Sequence, residues 1–314
     1  MTIRQNRIRS PYAYAAVKGR IFRPPHAVNL RLTLGPLRRG HCDPTMRVGP
    51  DGVWRATRTP EGPASTHIVS AGDQVLMEAW GPGADWALEA APALVGALDD
   101  DAGFEPLHPV VEDLHRRLRG LRICRSQAVT EAVVPTILEQ KVIGVQAHRS
   151  YAAVVRRFGE EAPGPGGLLL PPLPHVLATV PYHSFHRLGV ERKRADTIRR
   201  ACSYARRLEE TVSMAPAEAR SRLTALPGLG PWSAAEVAFV ALGDPDAVSL
   251  GDYHLPHLVS YALTGEPRGD DARMLELLEP WRGQRGRVIK LLEAGADAPP
   301  RYGPRMPLQH IAGL

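Results

Sequence analysis

The sequence APAEARSRLTALPGLGPWSAAEVAFVAL occupies residues 215–242 and predicts two helices joined by a short turn. Helical periodicity covers residues 218–226 and returns at residues 231–242. The segment between them, LPGLG at residues 226–230, has two glycines around one leucine. This composition permits a tight turn with positive φ and leaves its outer surface free of side chains. Pro231 suits the first turn of a helix, where its missing N–H group would have no partner.

The turn leads directly into the second helix, so the free N–H groups of that helix are expected to face outward. A helix N-terminus of this kind binds anions and suits a DNA phosphate. A simple helix corner with a glycine cap is the alternative interpretation, because such corners are common in helical proteins. The spacing alone leaves both interpretations open.

Residues 226–234, LPGLGPWSA, resemble the hairpin of the helix-hairpin-helix DNA glycosylase superfamily. The usual form there is an apolar residue, Pro-Gly, an apolar residue, Gly, two further residues, and Thr or Ser followed by Ala. Every one of these positions matches. The resemblance implies that duplex DNA containing damaged bases is the partner and that the hairpin contacts its backbone. The residues expected to do so are Gly228, Leu229, Gly230 and Ser233.

The same resemblance implies a monovalent cation beside the hairpin. In that family, backbone carbonyls of the turn hold the ion, which bridges to a DNA phosphate. The matching carbonyls belong to Thr224, Leu226 and Leu229, so a structural Na⁺ or K⁺ is expected there. No other cofactor is expected. Iron–sulfur members need four closely spaced cysteines near the C-terminus, and this sequence has no cysteine after Cys202.

Asp252 follows Gly230 by 22 positions and precedes an apolar helical segment. Taken alone, such an Asp is most simply a helix N-cap. In the resembled superfamily, however, the hairpin is followed at about this distance by a Gly/Pro-rich loop and a catalytic Asp. The resemblance therefore assigns catalysis to Asp252.

The chemistry explains why a carboxylate belongs at that place. Breaking an N-glycosidic bond develops positive charge on the sugar ring. A carboxylate beside C1′ stabilises that charge and can orient or deprotonate the attacking water. The N-terminus of the following helix favours the anion, so capping and catalysis would use the same field.

Over nearly its full length the chain resembles the 3-methyladenine DNA glycosylase II branch. In that branch the residue at Trp232 stacks on the extruded base, although helical aromatic residues more often only pack. Tyr253, next to Asp252, is a second candidate for the base pocket. Gln140, in the segment TILEQKVIGVQAHR at residues 136–149, matches a recurrent Gln of the first glycosylase helix and is a further candidate for the base pocket.

Three positions depart from the branch. Glu236 and Lys290 replace aromatic residues of the base pocket, and Lys141 replaces the apolar wedge that fills the vacated stack. Trp232 also occupies the position where bifunctional members carry the lysine that forms a Schiff base with C1′. These residues predict a monofunctional glycosylase and leave its preferred lesion open. Lys141 is expected to contact DNA.

An α+β fold class is predicted, with a small N-terminal antiparallel β/α domain at residues 1–105. About the first 25 residues are basic and predict an arm or an edge strand. Period-2 patterns and turn residues predict the strands. These strands cover residues 27–34 (AVNLRLTL), 53–58, 67–69 and 75–80, and a helical stretch follows at residues 85–98.

Residues 106–314 predict a mainly helical, two-lobed glycosylase domain that contains the hairpin at about residues 216–242. Residues 131–158 predict two helices that are interrupted near residues 142–145. Residues 187–207 hold eight basic residues against two acidic ones, which is typical of a solvated helix face. Beside a phosphate-binding hairpin, the same run would extend the electrostatic surface for DNA.

The composition is that of a globular protein, with a formal net charge of +6. No apolar run reaches about 18 residues, so no membrane span is expected. The three cysteines, Cys42, Cys124 and Cys202, form no CxxC pair, which favours buried thiols over a disulfide framework or a zinc site. Basicity permits a polyanionic partner but is weak support, because 35 of the 39 basic residues are arginines in an Arg-rich composition.

The sequence therefore predicts a monomeric, cytoplasmic and nucleoid-associated enzyme of base excision repair. It would remove damaged bases, most simply alkylated purines, from duplex DNA. The alternative is a DNA-binding relative that has lost catalysis and uses its hairpin only to grip the backbone. Retention of Asp252 favours the enzyme, and the changed pocket residues favour the binder.

Overall fold

The computed structural model describes residues 16–300, and its N-terminal part is a five-stranded antiparallel sheet. The order across the sheet is β1-β5-β4-β3-β2, in which β1 is an edge strand, as the sequence predicted for this region. Residues 1–15 of the expected basic arm lie outside the described residues. The strands are β1 (Lys18–Phe22), β2 (Met46–Gly49), β3 (Gly52–Thr59), β4 (Gly62–Ala71) and β5 (Gln74–Trp80).

Three short helices accompany the sheet: α1 (Leu30–Leu34), α2 (Ala84–Glu89) and α3 (Ala91–Leu94). The strand predicted at residues 27–34 is therefore wrong. The Asn29 side chain accepts a hydrogen bond from the Leu32 N–H and starts a helix instead. Leu30, Thr33 and Leu34 then share the helix face that is buried against the sheet, whereas a strand would place Thr33 on the face opposite to Leu30 and Leu34.

The rest of the described chain is mainly helical. The predicted interruption of the 131–158 segment is confirmed, because α5 ends at Glu139 and α6 begins at Gly144. The elements are α4 (Pro109–Arg117), α5 (Val129–Glu139), α6 (Gly144–Phe158), β6 (Glu160–Glu161), β7 (Leu169–Leu170), α7 (Pro174–Thr179), α8 (Tyr182–His186), α9 (Arg192–Ser203), α10 (Ala205–Glu209), α11 (Pro216–Thr224), α12 (Pro231–Val237), α13 (Leu255–Thr264), α14 (Asp271–Leu278) and α15 (Arg285–Gly295).

The helices form two lobes with separate apolar cores. The first core joins the sheet to α5, α6, α9 and α12, and α5 is buried along almost its whole length. The second core is built by α4, α13, α14 and α15. Because α12 belongs to the first lobe and α13 to the second, the segment between them crosses from one lobe to the other. The domain boundary at residues 105 and 106 stays a prediction.

The three cysteines of the chain differ in their exposure to solvent. Cys124 and Cys202 are buried, but Cys42 is exposed, so the prediction of buried thiols is wrong for Cys42. Cys42 lies in the loop between α1 and β2, where no core packs over it. Between residues 16 and 300 no helix has the length and apolarity needed to cross a membrane.

Candidate active site

The hairpin between α11 and α12 is a tight turn at residues 225–230. Its two glycines differ in whether the backbone conformation requires glycine. Gly228 has φ +101°, and a Cβ there would lie 2.6 Å from the Thr197 side chain. Gly230 has φ −92°, which any residue adopts, and a Cβ there would meet nothing within 4 Å. The expectation of a turn with positive φ holds at Gly228, whereas the conformation and packing of the chain itself do not require glycine at position 230.

Side chains from two other helices hold the turn in place. The Arg200 guanidinium on α9 donates to the Pro227 carbonyl at 2.8 Å. The Gln140 side-chain amide, at the end of α5, donates to the Gly228 carbonyl and to the Ser233 hydroxyl, both at 2.9 Å. These hydrogen bonds from Gln140 therefore stabilise the hairpin. Ser233 is buried, so its hydroxyl accepts from Gln140 and does not face the solvent.

Leu226 and Leu229 are buried in the first core, so the apolar residues of the turn point inward. Pro227, Gly228, Gly230 and Pro231 are exposed, so main chain at the two glycines forms part of the outward surface of the hairpin. Such a surface can approach a phosphate closely.

The carbonyl groups assigned to a monovalent cation fit that function in their hydrogen bonding. The Leu226 carbonyl accepts from the Leu229 N–H at 3.0 Å and keeps one lone pair free. Among the described residues, no main-chain N–H donates to the carbonyls of Thr224 or Leu229. Neutral main-chain oxygens of this kind suit a hard monovalent ion. Thr224, Leu226 and Leu229 would hold it, and the ion would supply positive charge towards a phosphate.

Lys141 follows Gln140 directly and is exposed in the α5–α6 loop. Its φ is +56°, the left-handed conformation that non-glycine residues rarely adopt. Such strain costs on the order of 1–3 kcal/mol and is concentrated at functional sites. The loop therefore holds an exposed lysine in a fixed position beside the hairpin that Gln140 contacts.

Asp252 lies at the start of α13 and uses both carboxylate oxygens. One oxygen accepts from the main-chain N–H groups of His254 at 2.7 Å and Leu255 at 2.9 Å, which is N-capping geometry. The other accepts from the Trp232 indole N–H at 2.9 Å. Hydrogen bonds to an ionised acceptor are stronger than those between neutral groups. The three donors fix the orientation of the carboxylate while leaving lone pairs for a further partner.

The contact between Trp232 and Asp252 joins the two lobes across the segment that connects α12 to α13. Gly251, with φ +85°, reverses the chain just before Asp252. The Gly251 N–H donates to the Asp271 carboxylate on α14 at 2.8 Å, which fixes this reversal. The half-buried carboxylate thus faces the indole of the helix that begins at the hairpin.

Glu236 lies one turn after Trp232 on the same face of α12. Its carboxylate accepts from the Ser249 hydroxyl at 2.5 Å. Burial raises the pKa of Glu236, while Lys290 and the Ser249 hydroxyl act in the opposite direction without cancelling it. The Lys290 ammonium on α15 donates to Glu293 at 2.6 Å and lies 4.9 Å from the centre of the Phe239 ring. Two aromatic positions of the resembled branch therefore hold a carboxylate and an ammonium that interact.

Tyr253 is 73% exposed, and its ring packs edge-on against His254 and His257 of α13. The structure therefore does not bring Tyr253 together with Trp232 and Glu236 as a buried pocket wall. Trp232, Glu236 and Asp252 do come together, as do Gln140, Lys141 and the hairpin.

Sequence reasoning missed four residues that position the site: Ser249, Asp271, Arg200 and Arg39. Arg39, from the loop between α1 and β2, pairs with Glu139 at 3.1 Å, next to Gln140. Only Arg200 had a signal, because it belongs to the basic run at residues 187–207. That run is not simply a solvated face, since Arg194 is 2% exposed and donates to the Leu138 carbonyl. Among the described residues, no group of three or more His, Cys, Asp or Glu side chains could hold a metal ion.

The fold is similar to that of several solved glycosylases. A 3-methyladenine DNA glycosylase from Archaeoglobus fulgidus superposes with a TM-score of 0.74 at 20% identity, over 87% of this chain and 97% of the other. An 8-oxoguanine glycosylase/lyase from Clostridium acetobutylicum, solved with duplex DNA, superposes with a TM-score of 0.68 at 12% identity, over 89% and 97%. The predicted α+β architecture, a sheet followed by a mainly helical region, is confirmed.

A curated relative gives the sequence comparison. The probable bifunctional transcriptional activator/DNA repair enzyme AlkA of Mycobacterium tuberculosis is 30% identical over 171 residues, which are 54% of this chain and 33% of that protein. In fold, the chain is similar to these DNA glycosylases. It spans about a third of the length of the curated relatives it matches. A comparison with protein-family models gave no match.

Proposed function

We propose that this protein is a monofunctional DNA glycosylase that removes a damaged base from duplex DNA, with Asp252 as the catalytic carboxylate. The observation that carries the proposal is the position of Asp252. Its carboxylate accepts hydrogen bonds from three N–H groups. One of these is the indole N–H of Trp232, which lies on the helix that begins at the hairpin. A phosphate held by the hairpin would place a flipped nucleotide close to this carboxylate.

The proposed reaction has the following steps. The main chain of the hairpin binds the phosphodiester without reading sequence, and Lys141 occupies the gap left in the base stack. The extruded base stacks on the indole of Trp232. Asp252 stabilises the positive charge that develops on the sugar and orients the water that attacks C1′. The product is a free base and an intact abasic strand.

The substrate class we favour is alkylated purine. The relatives named for 3-methyladenine excision and for DNA repair support it, as does Glu236, whose carboxylate would attract a cationic alkylpurine. The enzyme would act as a monomer on DNA in the cytoplasm. The other candidate is a non-catalytic DNA-binding protein, which Glu236 and Lys290 favour because they replace the expected aromatic residues of the pocket.

Mass spectrometry of bases released from alkylated duplex DNA tests this proposal. The wild type should release alkylated purines such as 3-methyladenine or 7-methylguanine. Asp252→Asn should lower the rate of release by about 10²–10³-fold or more, about 2.7–4 kcal/mol, because it removes the charge that stabilises the sugar cation. Its affinity for damaged DNA, measured by fluorescence anisotropy, should stay near that of the wild type.

Two outcomes would count against the proposal. Release by Asp252→Asn within about threefold of the wild type, less than 1 kcal/mol, would remove Asp252 from the chemistry. A folded wild-type protein that binds duplex DNA yet releases no base from any alkylated, deaminated or oxidised substrate would support the non-catalytic binder.

A further inference from the structure

A cavity of about 490 Å³ lies between the sheet and the helices, and none of the candidate active-site residues lines it. Its walls come from the β3–β4 turn, α2, the first turns of α5, the segment leading into α7, and α9 with α10. Small-molecule sites usually have volumes of about 300–1,000 Å³ and often lie where structural units meet. The size and position of the cavity therefore suit a small ligand.

The walls are mainly apolar. Trp86 contributes an aromatic surface, and Val134 and Leu177 contribute aliphatic ones, with proline rings from the segment before α7. A ligand that fills this space must have an apolar body of matching volume, because apolar surface removed from water is the main source of its affinity.

Most charged groups that line the cavity already have partners. Glu131 pairs with Arg55 at 2.9 Å and accepts from the Arg58 N–H at 2.7 Å. Glu209 accepts from the Val129 and Thr130 N–H groups of the first turn of α5, at 3.0 and 2.7 Å.

The two arginines on the lining differ. Arg58 pairs with Glu160 at 2.9 Å. Arg206 is exposed at the mouth of the cavity, and its guanidinium has no hydrogen bond or ion pair with any residue between 16 and 300. Among the described residues that line the cavity, Arg206 is thus the cation without an anionic partner, whereas the Glu209 carboxylate is bound by the N–H groups at the start of α5.

A buried polar group on the lining is also without a partner. Thr130 is 7% exposed, and its hydroxyl forms no hydrogen bond within the described chain. Buried hydroxyl groups nearly always find a partner, so each exception calls for an explanation. An acceptor atom on a molecule inside the cavity would satisfy this donor.

We propose that this cavity binds a small amphipathic monoanion, an aromatic or bulky aliphatic molecule that carries one carboxylate or sulfonate. The acid group pairs with Arg206 at the mouth. The apolar body lies against Trp86, Val134 and Leu177, and an acceptor atom meets the Thr130 hydroxyl. The inference does not rest on the proposed glycosylase activity, because no residue is shared.

The cavity is separate from the hairpin. Thr130 and Gln140 lie ten residues apart at the two ends of α5, which corresponds to about 15 Å along a helix. A ligand in the cavity and DNA on the hairpin are therefore expected to bind at the same time. Binding of the ligand to the native state alone would stabilise the fold.

The test uses 1-anilinonaphthalene-8-sulfonate, an aromatic monoanion whose fluorescence rises in apolar surroundings, titrated into the full chain far below its unfolding temperature. One saturable site is expected. Arg206→Glu should weaken binding of this probe by about tenfold or more, because it replaces attraction by repulsion. Arg207→Glu is the matched control. Arg207 is the exposed neighbour of Arg206, stacks over Tyr204 and does not line the cavity, so binding should change by less than about twofold.

Energy transfer locates the bound probe. Excitation of tryptophan should sensitise probe fluorescence through Trp86, and Trp86→Phe should reduce this transfer more than Trp281→Phe, which changes a residue of the second core. Saturating duplex DNA should leave the affinity for the probe unchanged. Absence of saturable binding, equal losses in the two arginine variants, or displacement of the probe by DNA would each overturn the proposal.

Discussion

The Trp232 side chain would serve two purposes in the proposed reaction. Its indole N–H donates to Asp252, which orients the carboxylate. Its ring would stack on the extruded base. The sequence indicated both residues, but their hydrogen bond could not be predicted, because it depends on how the chain returns to α12 after the intervening segment.

Trp232 also bears on the type of reaction. An indole N–H cannot form a Schiff base, so a strand-cleaving lyase would need another amine. Lys290 is poorly suited. Burial opposes its charged form, yet Glu293 and Glu236 keep the pKa of Lys290 above its usual value, and the amine is held protonated without a free lone pair. We expect hydrolysis only.

Borohydride added during turnover on damaged DNA tests this expectation. It reduces any imine to a covalent enzyme–DNA adduct, and the amount of adduct is measured. The wild type should give no more adduct than Asp252→Asn does, while releasing base at its normal rate. An efficient cross-link that disappears in Lys290→Arg or in Lys141→Arg would show that one of these amines attacks the sugar. A bifunctional glycosylase with a lysine nucleophile is the positive control.

Glu236 should make base selection depend on pH. Because burial raises the pKa of Glu236, its carboxylate becomes protonated at a higher pH than an exposed glutamate does. Only the ionised form attracts a cationic base. The ratio of 7-methylguanine to hypoxanthine released by the wild type should therefore fall as the pH is lowered through that raised pKa. A fall of roughly tenfold would correspond to about 1.4 kcal/mol of lost attraction.

Glu236→Gln provides the comparison. Its product ratio should be low and independent of pH, because the amide is never charged, and its affinity for undamaged duplex should equal that of the wild type. Identical pH profiles for the two proteins would mean that Glu236 does not face the base.

At the level of elements, substitutions at the two glycines of the hairpin separate an effect on folding from an effect on DNA binding. Gly228→Ala would force a Cβ against Thr197 and strain a left-handed φ, so it should destabilise the protein. Gly230→Ala meets open space at an ordinary φ, so the free protein should fold normally. If the outer surface of the turn lies on a phosphate, the added methyl group of Gly230→Ala should still obstruct DNA.

Anisotropy titrations with damaged and undamaged duplexes measure this effect. Gly230→Ala should weaken both affinities by a similar factor, at least about tenfold, because contacts to phosphate carry no sequence information. Thermal unfolding of the variant should match that of the wild type. Unchanged affinity in a normally folded Gly230→Ala protein would show that the turn is only a corner between two helices.

The elements also show where the local sequence is sufficient to predict the secondary structure. The helices around the hairpin and the break between α5 and α6 were predictable, because periodicity and glycine or proline positions agree with the final packing. The segment AVNLRLTL was not, since alternation over eight residues resembles a strand. There the Asn29 cap and the burial of Leu30, Thr33 and Leu34 on one face decide in favour of a helix. Tertiary packing overrides a short pattern.

For the whole molecule, the way the N-terminal region and the second lobe are held together was beyond sequence reasoning. Asp99, just after α3, accepts two hydrogen bonds from Arg287 on α15, at 2.8 and 2.7 Å. These residues are separated by 188 positions, and nothing in either local sequence indicates the other. The two side chains are 3% and 4% exposed, so the pair is buried between parts of the chain that lie on the two sides of α4.

This buried pair provides a prediction about overall stability. Arg287→Met removes the guanidinium while keeping similar bulk, and it leaves the Asp99 carboxylate buried without its counter-ion. Breaking such a pair typically costs about 3–5 kcal/mol, and we expect the free energy of unfolding to fall by that amount in urea titrations. The matched control is Arg282→Met, just before α15, where the pair with Glu279 is exposed and contributes little. Replacing both partners, as Asp99→Leu with Arg287→Met, should recover part of the loss, because no unpaired charge then remains. Equal stability of Arg287→Met and Arg282→Met would mean that water reaches Asp99 and that the two parts of the chain are held together by apolar packing alone.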